Sequence, residues 1–475
     1  MSRRQVWNKG WLVVILISVG MTASPQGLFE SSQQGYHENE IVSNYFTLGG
    51  FIRSAGYVGS LPDNSGYYFQ SAYGQAGLLM DAHAGQVATA RADIRFRAGS
   101  EFQERFTEWM IREAYVDLSS ETAGIRMGKM INPWGKGTIY NPTDKITPLD
   151  PTRRSPDEDD MLLGYWGVEG NVNLGSFLSL SATWKPVYQA SVLLIDPVPM
   201  PGYVEFTDPW DPGVTLAEGS YGFHVSLHHP VADAGIYWFE GYHHWPGIAL
   251  DTFILNPGTL EPESLRLMEQ PYRIRMAGLD FSMPLGTWII RAEGAWQQSV
   301  EDRTGREFVP FPELAYTAEL ERSLGAFDLI AGYYGKHILE FEEASAPPSL
   351  SPDREYFMQL IQQQVEDPLE SIESLVRNQV AAFNRLYNYQ LEATYHTAYL
   401  VVRGRFLNDL LEASLPVVYN VTTEEWILQP QVSINPADGI EITAGFSGLY
   451  GPEGSLYDLV GPVLNAGYLS MKVTF

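Results

Sequence analysis

The stretch Ala90-Arg-Ala-Asp-Ile-Arg-Phe-Arg-Ala98 decides the fold, because apolar and charged residues alternate strictly along it. In an extended strand such residues point to opposite faces, so one face carries only apolar side chains and the other carries Arg91, Asp93, Arg95 and Arg97. A wide membrane barrel supplies water to such a charged face in its lumen and lipid to the apolar face. A soluble β-sandwich produces the same alternation with its apolar face inward, so this stretch alone leaves both architectures open.

The same alternation recurs, and the spacing of the turns favours the barrel. Trp288 to Gln297, Leu391 to Tyr395 and Leu400 to Phe406 also alternate. Short connections are predicted at 82–86, 119–123, 173–176, 230–234, 284–287, 323–326, 396–398 and 436–439. Longer segments, polar, acidic or rich in proline, lie between them at 132–162, 189–218, 247–270, 301–311, 341–382, 411–422 and 451–463. Short turns that alternate with long loops are typical of outer-membrane barrels. We therefore predict an all-β, antiparallel transmembrane barrel of about 18 strands over residues 44–475, with 16 strands as the nearest alternative.

The N-terminus predicts export. Arg3, Arg4 and Lys9 precede the apolar run Trp11 to Val19, and small residues follow up to Ser24. This is the layout of a secretory signal peptide, and the run is shorter than the roughly 20 apolar residues of a membrane-spanning helix. We predict a signal peptide at 1–24 and a periplasmic segment at 25–43. No later stretch of 18 apolar residues occurs, so the sequence predicts no transmembrane helix.

Composition excludes several function classes. The chain has no cysteine, so disulfides, thiol nucleophiles and thiolate metal sites are excluded. A net charge of −27 repels nucleic acid, which we exclude as a partner. None of the common hydrolase, nucleotide-binding or metalloprotease motifs occurs, so we predict no enzyme and no cofactor. The pairs His228-His229 and His243-His244 would lie roughly 33 Å apart on one hairpin, so they predict no shared metal ion.

The chain end and the middle of the sequence carry a resemblance to known proteins. In Tyr468-Leu-Ser-Met-Lys-Val-Thr-Phe475, the apolar residues again alternate up to a terminal Phe. This end resembles the C-terminal recognition strand of Gram-negative outer-membrane proteins, which implies outer-membrane lipid as the surroundings and insertion by the barrel assembly machinery through Phe475. The segments Arg112-Glu-Ala-Tyr-Val-Asp-Leu118, Arg126-Met-Gly-Lys-Met-Ile-Asn-Pro-Trp-Gly135 and Asn141-Pro-Thr-Asp144 are similar to an uncharacterised group of porin-like outer-membrane proteins. That resemblance implies a barrel with a transport role.

In general porins, the loop in the place of 132–162 folds into the lumen and narrows the pore. The resemblance implies that a constriction or its support is formed by Asn132, Trp134, Lys136, Tyr140, Asn141, Asp144 and Lys145. The alternative is that the prolines of this segment merely stiffen a surface loop. The run Asp157-Glu-Asp-Asp160 suits either a weak calcium site or a solvated acidic turn.

Charged residues of the predicted strands define the pore hypothesis. An Arg on the lipid face near the bilayer midplane costs about 2–4 kcal/mol, so the strand charges are expected to face the lumen. These predicted pore-lining residues are Arg91, Asp93, Arg95, Arg97, Glu113, Asp117, Arg126, Arg273, Arg275, Arg291, Glu293, Glu319, Glu321, Glu392, Arg403 and Arg405. Rings of charge select ions by sign, so a basic stripe opposed by carboxylates would pass anions or zwitterions. The alternative is that these charges pair across strands only to stabilise the wall.

Two hypotheses for function follow. The first is a porin-like channel in the outer membrane of a Gram-negative bacterium, which passes small polar solutes by diffusion. The second is a non-conducting barrel, acting as a receptor, an adhesin or part of an export system. The outer loop 341–382 should contain two short amphipathic helices, around Phe357 to Val365 and after Pro368. They would cap the pore or dock a partner, or simply pack on the rim; a homo-oligomer is compatible with either hypothesis.

Overall fold

The computed structural model describes residues 45–60, 66–256, 261–350 and 368–475. The predicted signal peptide, the predicted periplasmic segment and the first predicted helix of 341–382 lie outside these residues. The described part contains two α-helices, α1 (Pro368–Tyr387) and α2 (Leu456–Leu464), and one short 3-10 helix (Glu158–Met161). Its strands are β1 (Tyr45–Ser60), β2 (Tyr67–Ala84), β3 (Ala88–Glu101), β4 (Glu104–Ser119), β5 (Ala123–Met130), β6 (Tyr165–Leu174), β7 (Leu178–Lys185), β8 (Val204–Phe206), β9 (Ser220–His229), β10 (Ala232–Tyr242), β11 (Gly247–Leu255), β12 (Pro262–Gln270), β13 (Arg273–Leu285), β14 (Trp288–Ser299), β15 (Glu313–Leu324), β16 (Phe327–Ile338), β17 (Thr394–Phe406), β18 (Leu411–Asn420), β19 (Glu425–Leu428), β20 (Gln431–Ala437), β21 (Ile440–Tyr450) and β22 (Ala466–Thr474).

All strands except β8, β11 and β12 form one antiparallel sheet that closes on itself. The last strand, β22, pairs with β1, with Met471 opposite Ser54. β19 and β20 occupy a single position in the barrel, because both pair with β18 on one side and with β21 on the other. Pro430 lies between them and has no N–H to continue the ladder. The barrel therefore has 18 strands, as predicted, and the alternative of 16 is excluded.

The length of the connections between strands distinguishes the two ends of the barrel. Seven of the eight predicted short connections join neighbouring strands at one end, which we call the short-turn end. Gly286 and Gly325 take positive φ angles of 63° in two of these turns, a conformation that side chains disfavour. The predicted turn at 396–398 is wrong, since these residues lie inside β17, and the predicted loop at 411–422 is mostly β18. His396-Thr-Ala398 reads as polar and small, yet the strand continues because Tyr395, Thr397 and Tyr399 all point inward.

The outer face of the barrel is apolar and exposed. Trp109 has 74% of its surface exposed and Ile236 has 64%, and similar residues occur on most strands. Such an area is far larger than the few hundred Å² of contiguous apolar surface on a typical soluble monomer. In contrast, the inward positions of β3 and β15 are buried although they carry charges. The outer face is therefore suited to lipid and the inner face to water and polar partners.

A second hydrophobic core lies at the opposite end, which we call the long-loop end. β8, β11 and β12 form a small sheet there, with β8 parallel to β12. The sheet packs on α1 and α2 through a cluster that includes Leu265, Leu267, Ile372, Val380 and Val460. A helix begins at Pro368, where one was predicted, but it has 20 residues and continues past the predicted loop end to Tyr387. Its apolar side packs on other loops. In the described residues, no helix is long and apolar enough to cross a membrane.

Candidate functional site

The connection between β5 and β6, residues 131–164, lies inside the barrel, and we call it the lumen loop. Its acidic turn contacts Arg53 of β1 and Arg95 of β3. Its first part contacts Glu293 of β14 and Glu319 of β15. These strands stand on different sides of the barrel, so the loop crosses the lumen rather than lying on the surface. The alternative of a surface loop stiffened by prolines is therefore wrong.

One end of the lumen loop is held by buried ion pairs, which we call the arginine anchor. The carboxylate of Asp160 lies between two guanidiniums, 2.5 Å from Nη1 of Arg53 and 2.5 Å from Nη1 of Arg95. Arg53 is only 1% exposed and also pairs with Asp157, whose carboxylate accepts from Lys472 at 2.9 Å. Burial alone would raise the pKa of Asp160, but the charges of Arg95 and Arg53 hold it well below its usual range.

The arginine anchor extends along β3 towards the long-loop end. Arg97 donates to Glu101 at 3.1 Å and to the backbone oxygen of Arg154 at 3.0 Å, with its guanidinium over the ring of Tyr73. Arg154 itself donates to Gln70 at 2.5 Å. Burial lowers the pKa of Arg154 to about 10. The predicted pore residues Arg95 and Arg97 therefore bind the loop and neighbouring carboxylates, and present little charge to the open lumen.

A β-bulge adds an unpredicted arginine to this wall. The pairing of β3 with β4 shifts between Asp93 and Ile94, which places Arg112 and Glu113 side by side on the inner face. Arg112 donates to the backbone oxygen of Asp159 at 2.6 Å, and Glu113 accepts from the N–H of Ile131 at 3.2 Å. Strict alternation would have placed only one of the two inward.

The other end of the lumen loop is held by wall carboxylates, which we call the glutamate anchor. Glu293 accepts from the backbone N–H groups of Lys136, Gly137 and Thr143 at 2.9, 3.3 and 2.7 Å. The hydroxyl of Thr143 also donates to Glu293, at 2.7 Å. Glu319 accepts from the N–H and the hydroxyl of Thr138 at 2.6 and 2.8 Å. Here the loop contributes backbone donors instead of charged side chains.

Most of the predicted constriction residues make contacts across the lumen. Asn132 donates to Glu169 at 2.7 Å, and Lys136 lies 2.9 Å from the carboxylate of Asp280. Trp134 is buried against His224 and Tyr237, with ring centroids 6.2 and 5.3 Å away. Tyr140 stacks on Tyr334 with ring centroids 4.3 Å apart. These side chains fill space between the loop and the walls of β6, β9, β10, β13 and β16.

The remaining constriction residues surround one turn of the loop. Asn141 is exposed, and its backbone oxygen accepts from the N–H of Asp144 at 3.1 Å. Asp144 accepts from the N–H groups of Ile146 and Thr147 at 3.2 and 3.1 Å. Burial raises the pKa of Asp144 to about 6 and lowers the pKa of Lys145. This turn therefore holds one acid and one base away from bulk water.

Other predicted pore residues lie on the inner face nearer the short-turn end, where more of each side chain is exposed. Arg91 is 42% exposed and lies 3.7 Å from Glu113. Arg126 pairs with Asp117 at 2.8 Å, and Arg291 pairs with Glu321 at 2.5 Å. Arg403 and Arg405 lie two and four residues after the inward Val401, so they point to the same inner face, where both are exposed. Arg405 pairs there with Asp328 at 3.3 Å. Nearly all of these charges are paired across strands, as the structural alternative proposed.

Three predicted pore residues are placed elsewhere, and the predictions for them are wrong. Arg273 and Arg275 share a face with the exposed Leu279, because Ile274, Met276 and Asp280 take the inward positions. They lie where β13 emerges at the long-loop end, and Arg275 pairs there with Glu240 at 3.1 Å. The rule that arginine avoids the outer face applies near the bilayer midplane and fails at strand ends. Glu392 is exposed and precedes β17, so it is not a strand residue at all.

Several inward charged residues escaped the sequence analysis: Arg53, Arg112, Arg153, Arg154, Lys185, Asp280 and Lys336. Lys185 donates to the backbone oxygen of Ile146 at 2.5 Å, and Lys336 lies 2.7 Å from Glu313. A usable signal existed for Asp280, which is the only charged residue in the part of β13 from Met276 to Leu285. No signal existed for Arg153 and Arg154, which lie in irregular backbone of the loop.

The acidic run Asp157 to Asp160 offers little to a cation. Asp157 and Asp160 are already paired with Arg53, Arg95 and Lys472, while Glu158 and Asp159 are exposed. The carboxylates of Asp157 and Asp160 are thus engaged in ion pairs, and the turn is not fully solvated. Within the described ranges, no group of three His, Asp or Glu side chains could hold a metal ion. His228 and His229 are the last two residues of β9 at the short-turn end, whereas His243 follows β10 at the long-loop end.

Comparison with known proteins gives matches in structure only. No protein-family model matches the sequence, and no curated protein matches it. OccK2 (OpdF) of Pseudomonas aeruginosa in complex with glucuronate has a TM-score of 0.51 at 10% identity, covering 90% of this chain and 97% of that chain. OccAB3 of Acinetobacter baumannii has a TM-score of 0.51 at 9% sequence identity, with 90% of this chain and 99% of that chain covered. Pseudomonas aeruginosa OpdK with vanillate has a TM-score of 0.51 at 8% sequence identity, with 90% of this chain and 98% of that chain covered. The chain therefore has the 18-stranded barrel fold of these Gram-negative outer-membrane porins.

Proposed function

We propose that the protein is an outer-membrane channel through which small polar solutes diffuse, with a preference for anions or zwitterions. The observation that carries this proposal is the lumen loop, which crosses a barrel whose outer face suits lipid. Charged side chains that stay exposed on the inner face beside the loop, such as Arg91, Arg126 and Arg403, favour a lumen that holds water over one that the loop seals. The loop narrows the lumen and brings its own charged groups next to those of the wall.

The charge pattern supports a preference for solutes that carry a negative group. Lys136, Arg91 and Arg126 keep 29%, 42% and 32% of their side chains exposed on the inner face. Each lies beside a carboxylate, so a solute with both charges can exchange one contact for another as it moves. Charged groups on a pore wall select solutes by the sign of their charge. Glucuronate and vanillate, held by two barrels of the same fold, are both carboxylates.

Planar-bilayer recording of the purified full chain tests the proposal. We expect discrete conductance steps and a reversal potential in asymmetric KCl that indicates preference for chloride. A clear preference for potassium would contradict the proposed anion preference, but it would still support a channel. The absence of steps in a correctly folded barrel would contradict the channel and favour the non-conducting alternative, a receptor, adhesin or export component.

A further inference from the structure

A small cavity lies between the lumen loop and the wall formed by β16 to β19. Its volume is about 80 Å³. Five tyrosines line it, together with one carboxylate, one amide and three other side chains. The lining residues are Tyr140, Tyr334, Tyr389, Tyr395, Tyr457, Glu425, Asn420, Thr397, Val418 and Ile427. The arginines of the opposite wall take no part in it.

Separate elements bring the five rings together. Tyr140 comes from the lumen loop and stacks on Tyr334 of β16, with ring centroids 4.3 Å apart. Tyr389 follows α1 and meets Tyr395 of β17 edge to face at 5.8 Å. Tyr457 lies in the first turn of α2, which Ser455 caps through the N–H of Asp458 at 3.1 Å. The cavity is therefore a cage of aromatic rings assembled from the loop, the wall and both helices.

The carboxylate of this cage has no cationic partner. Glu425, the first residue of β19, is 1% exposed. It accepts from the N–H of Tyr457 at 2.9 Å and from the hydroxyl of Thr423 at 2.7 Å. Among the residues that the structure describes, no lysine, arginine or histidine forms an ion pair with it. Buried charges are normally paired, because transfer of an isolated charge out of water is costly.

We propose that this tyrosine cage is a binding site for a small organic cation of the quaternary-ammonium class, such as choline. Aromatic faces attract a cation that cannot donate hydrogen bonds, and a buried carboxylate supplies the compensating charge. Size limits the ligand. The volume of about 80 Å³ is well below the roughly 150 Å³ of a cavity that admits benzene, so the cage excludes a sugar ring and takes no more than the head group of such a cation.

The site is independent of the proposed transport function. Binding to the cage requires only the folded barrel, whether or not solutes pass through it. A channel that failed to conduct could still bind choline, and a conducting channel could fail to bind it. The two outcomes are therefore measured separately.

Calorimetry on the purified full chain in detergent tests the proposal, with choline and its neutral analogue 3,3-dimethylbutan-1-ol as probes. The two molecules have nearly the same shape and differ in charge. We expect choline to bind at least tenfold more tightly than the alcohol. We expect Glu425→Gln to remove this difference, while Glu453→Gln, an exposed carboxylate in the turn before α2, leaves it unchanged.

Three results would overturn the site: no choline binding by the wild type, equal affinity for the alcohol, or unchanged choline affinity in Glu425→Gln. If that variant does not fold, Tyr140→Leu takes its place, since it removes one wall of the cage through a residue of the loop. That variant should lower the affinity for choline at least tenfold and the affinity for the alcohol much less. An equal loss for both probes would mean that the ring contributes shape alone.

Discussion

The two anchors of the lumen loop hold the same segment by opposite chemistry. At the arginine anchor the wall is cationic, and the loop brings carboxylates, with Asp160 shared by Arg53 and Arg95. At the glutamate anchor the wall is anionic, and the loop brings backbone N–H groups to Glu293 and Glu319. The first anchor depends on the identity of loop side chains. The second depends mainly on the loop backbone, with added bonds from the hydroxyls of Thr138 and Thr143. It also needs glycine at 135, where a Cβ would lie 2.5 Å from the carboxylate of Glu293.

This difference decides which charges remain for a solute. The arginines of the first anchor are neutralised by carboxylates of the loop and of β3, so they add little net potential to the lumen. At the second anchor, Glu293 is satisfied by neutral donors and has no ion-pair partner among the described residues, with Lys136 close by on Asp280. Selectivity should therefore depend on the exposed cations outside the arginine anchor.

The largest effect is expected from Asp160→Asn, which removes the shared charge of the arginine anchor. Breaking a buried ion pair costs about 3–5 kcal/mol when the partner charge is left alone. Arg53 keeps Asp157 and Arg95 keeps Asp93, so we expect the lower end of this range. The loop should detach, so that trypsin cleaves the folded barrel after Arg153 or Arg154 and single-channel conductance rises. Asp159→Asn, at the exposed neighbouring carboxylate, is the matched control. Equal trypsin resistance of the two variants would show that the anchor does not hold the loop.

A smaller effect is expected from Glu293→Gln at the glutamate anchor. One oxygen becomes an NH₂ group that faces backbone N–H donors, so at least one charge-assisted hydrogen bond is lost, each contributing about 1.5–3 kcal/mol. The other oxygen still accepts, and the arginine anchor remains. We expect more frequent conductance fluctuations at unchanged trypsin resistance near Arg153. Asp328→Asn on β16 is the control, because Asp328 is an inner-face carboxylate that pairs with Arg405, away from both anchors. Identical recordings from both variants would contradict the anchor.

The sequence predicted the barrel well because lipid and water impose a period of two on every strand. It also predicted which side of β3, β14 and β15 faces inward. It missed Arg112 because a bulge breaks the period, and it misplaced Arg273 and Arg275 because β13 leaves the membrane. The glutamate anchor could not be predicted at all, since backbone donors have no signature in a sequence. Likewise, the tyrosine cage joins residues from five distant segments.

The next effect concerns pH and the turn between the two anchors. Burial raises the pKa of Asp144 from 3.8 to about 6 in the docked loop, so the docked loop binds more protons than a released loop between about pH 4 and 6. Stability of docking therefore falls as the pH rises through this window and is constant above it. Asp144→Asn still accepts from Ile146 and Thr147 through its amide oxygen. It should remove this slope and stabilise docking at pH 7 by about 1–2 kcal/mol.

Trypsin resistance measured from pH 4 to pH 8 checks this prediction. The difference in trypsin resistance between wild type and Asp144→Asn reports the titration of the Asp144 carboxyl group alone. It excludes a contribution of His243 and His244, whose pKa values burial holds well below the usual range. Asp159→Asn should keep the wild-type slope. A slope that survives in Asp144→Asn would assign the pH dependence to another group.

The smallest effect is expected from Arg403→Gln, far from both anchors. Arg403 is exposed on the inner face, and it forms no ion pair with any residue in the described part of the chain. Its loss should change stability by less than about 0.5 kcal/mol. It should still reduce the preference for chloride in 0.1 M KCl, where charges act over about 10 Å, and have no effect in 1 M KCl, where they act over about 3 Å. If chloride preference instead persists at 0.1 M KCl and disappears only in Asp160→Asn, selectivity arises at the arginine anchor, and the division of roles between the two walls is wrong.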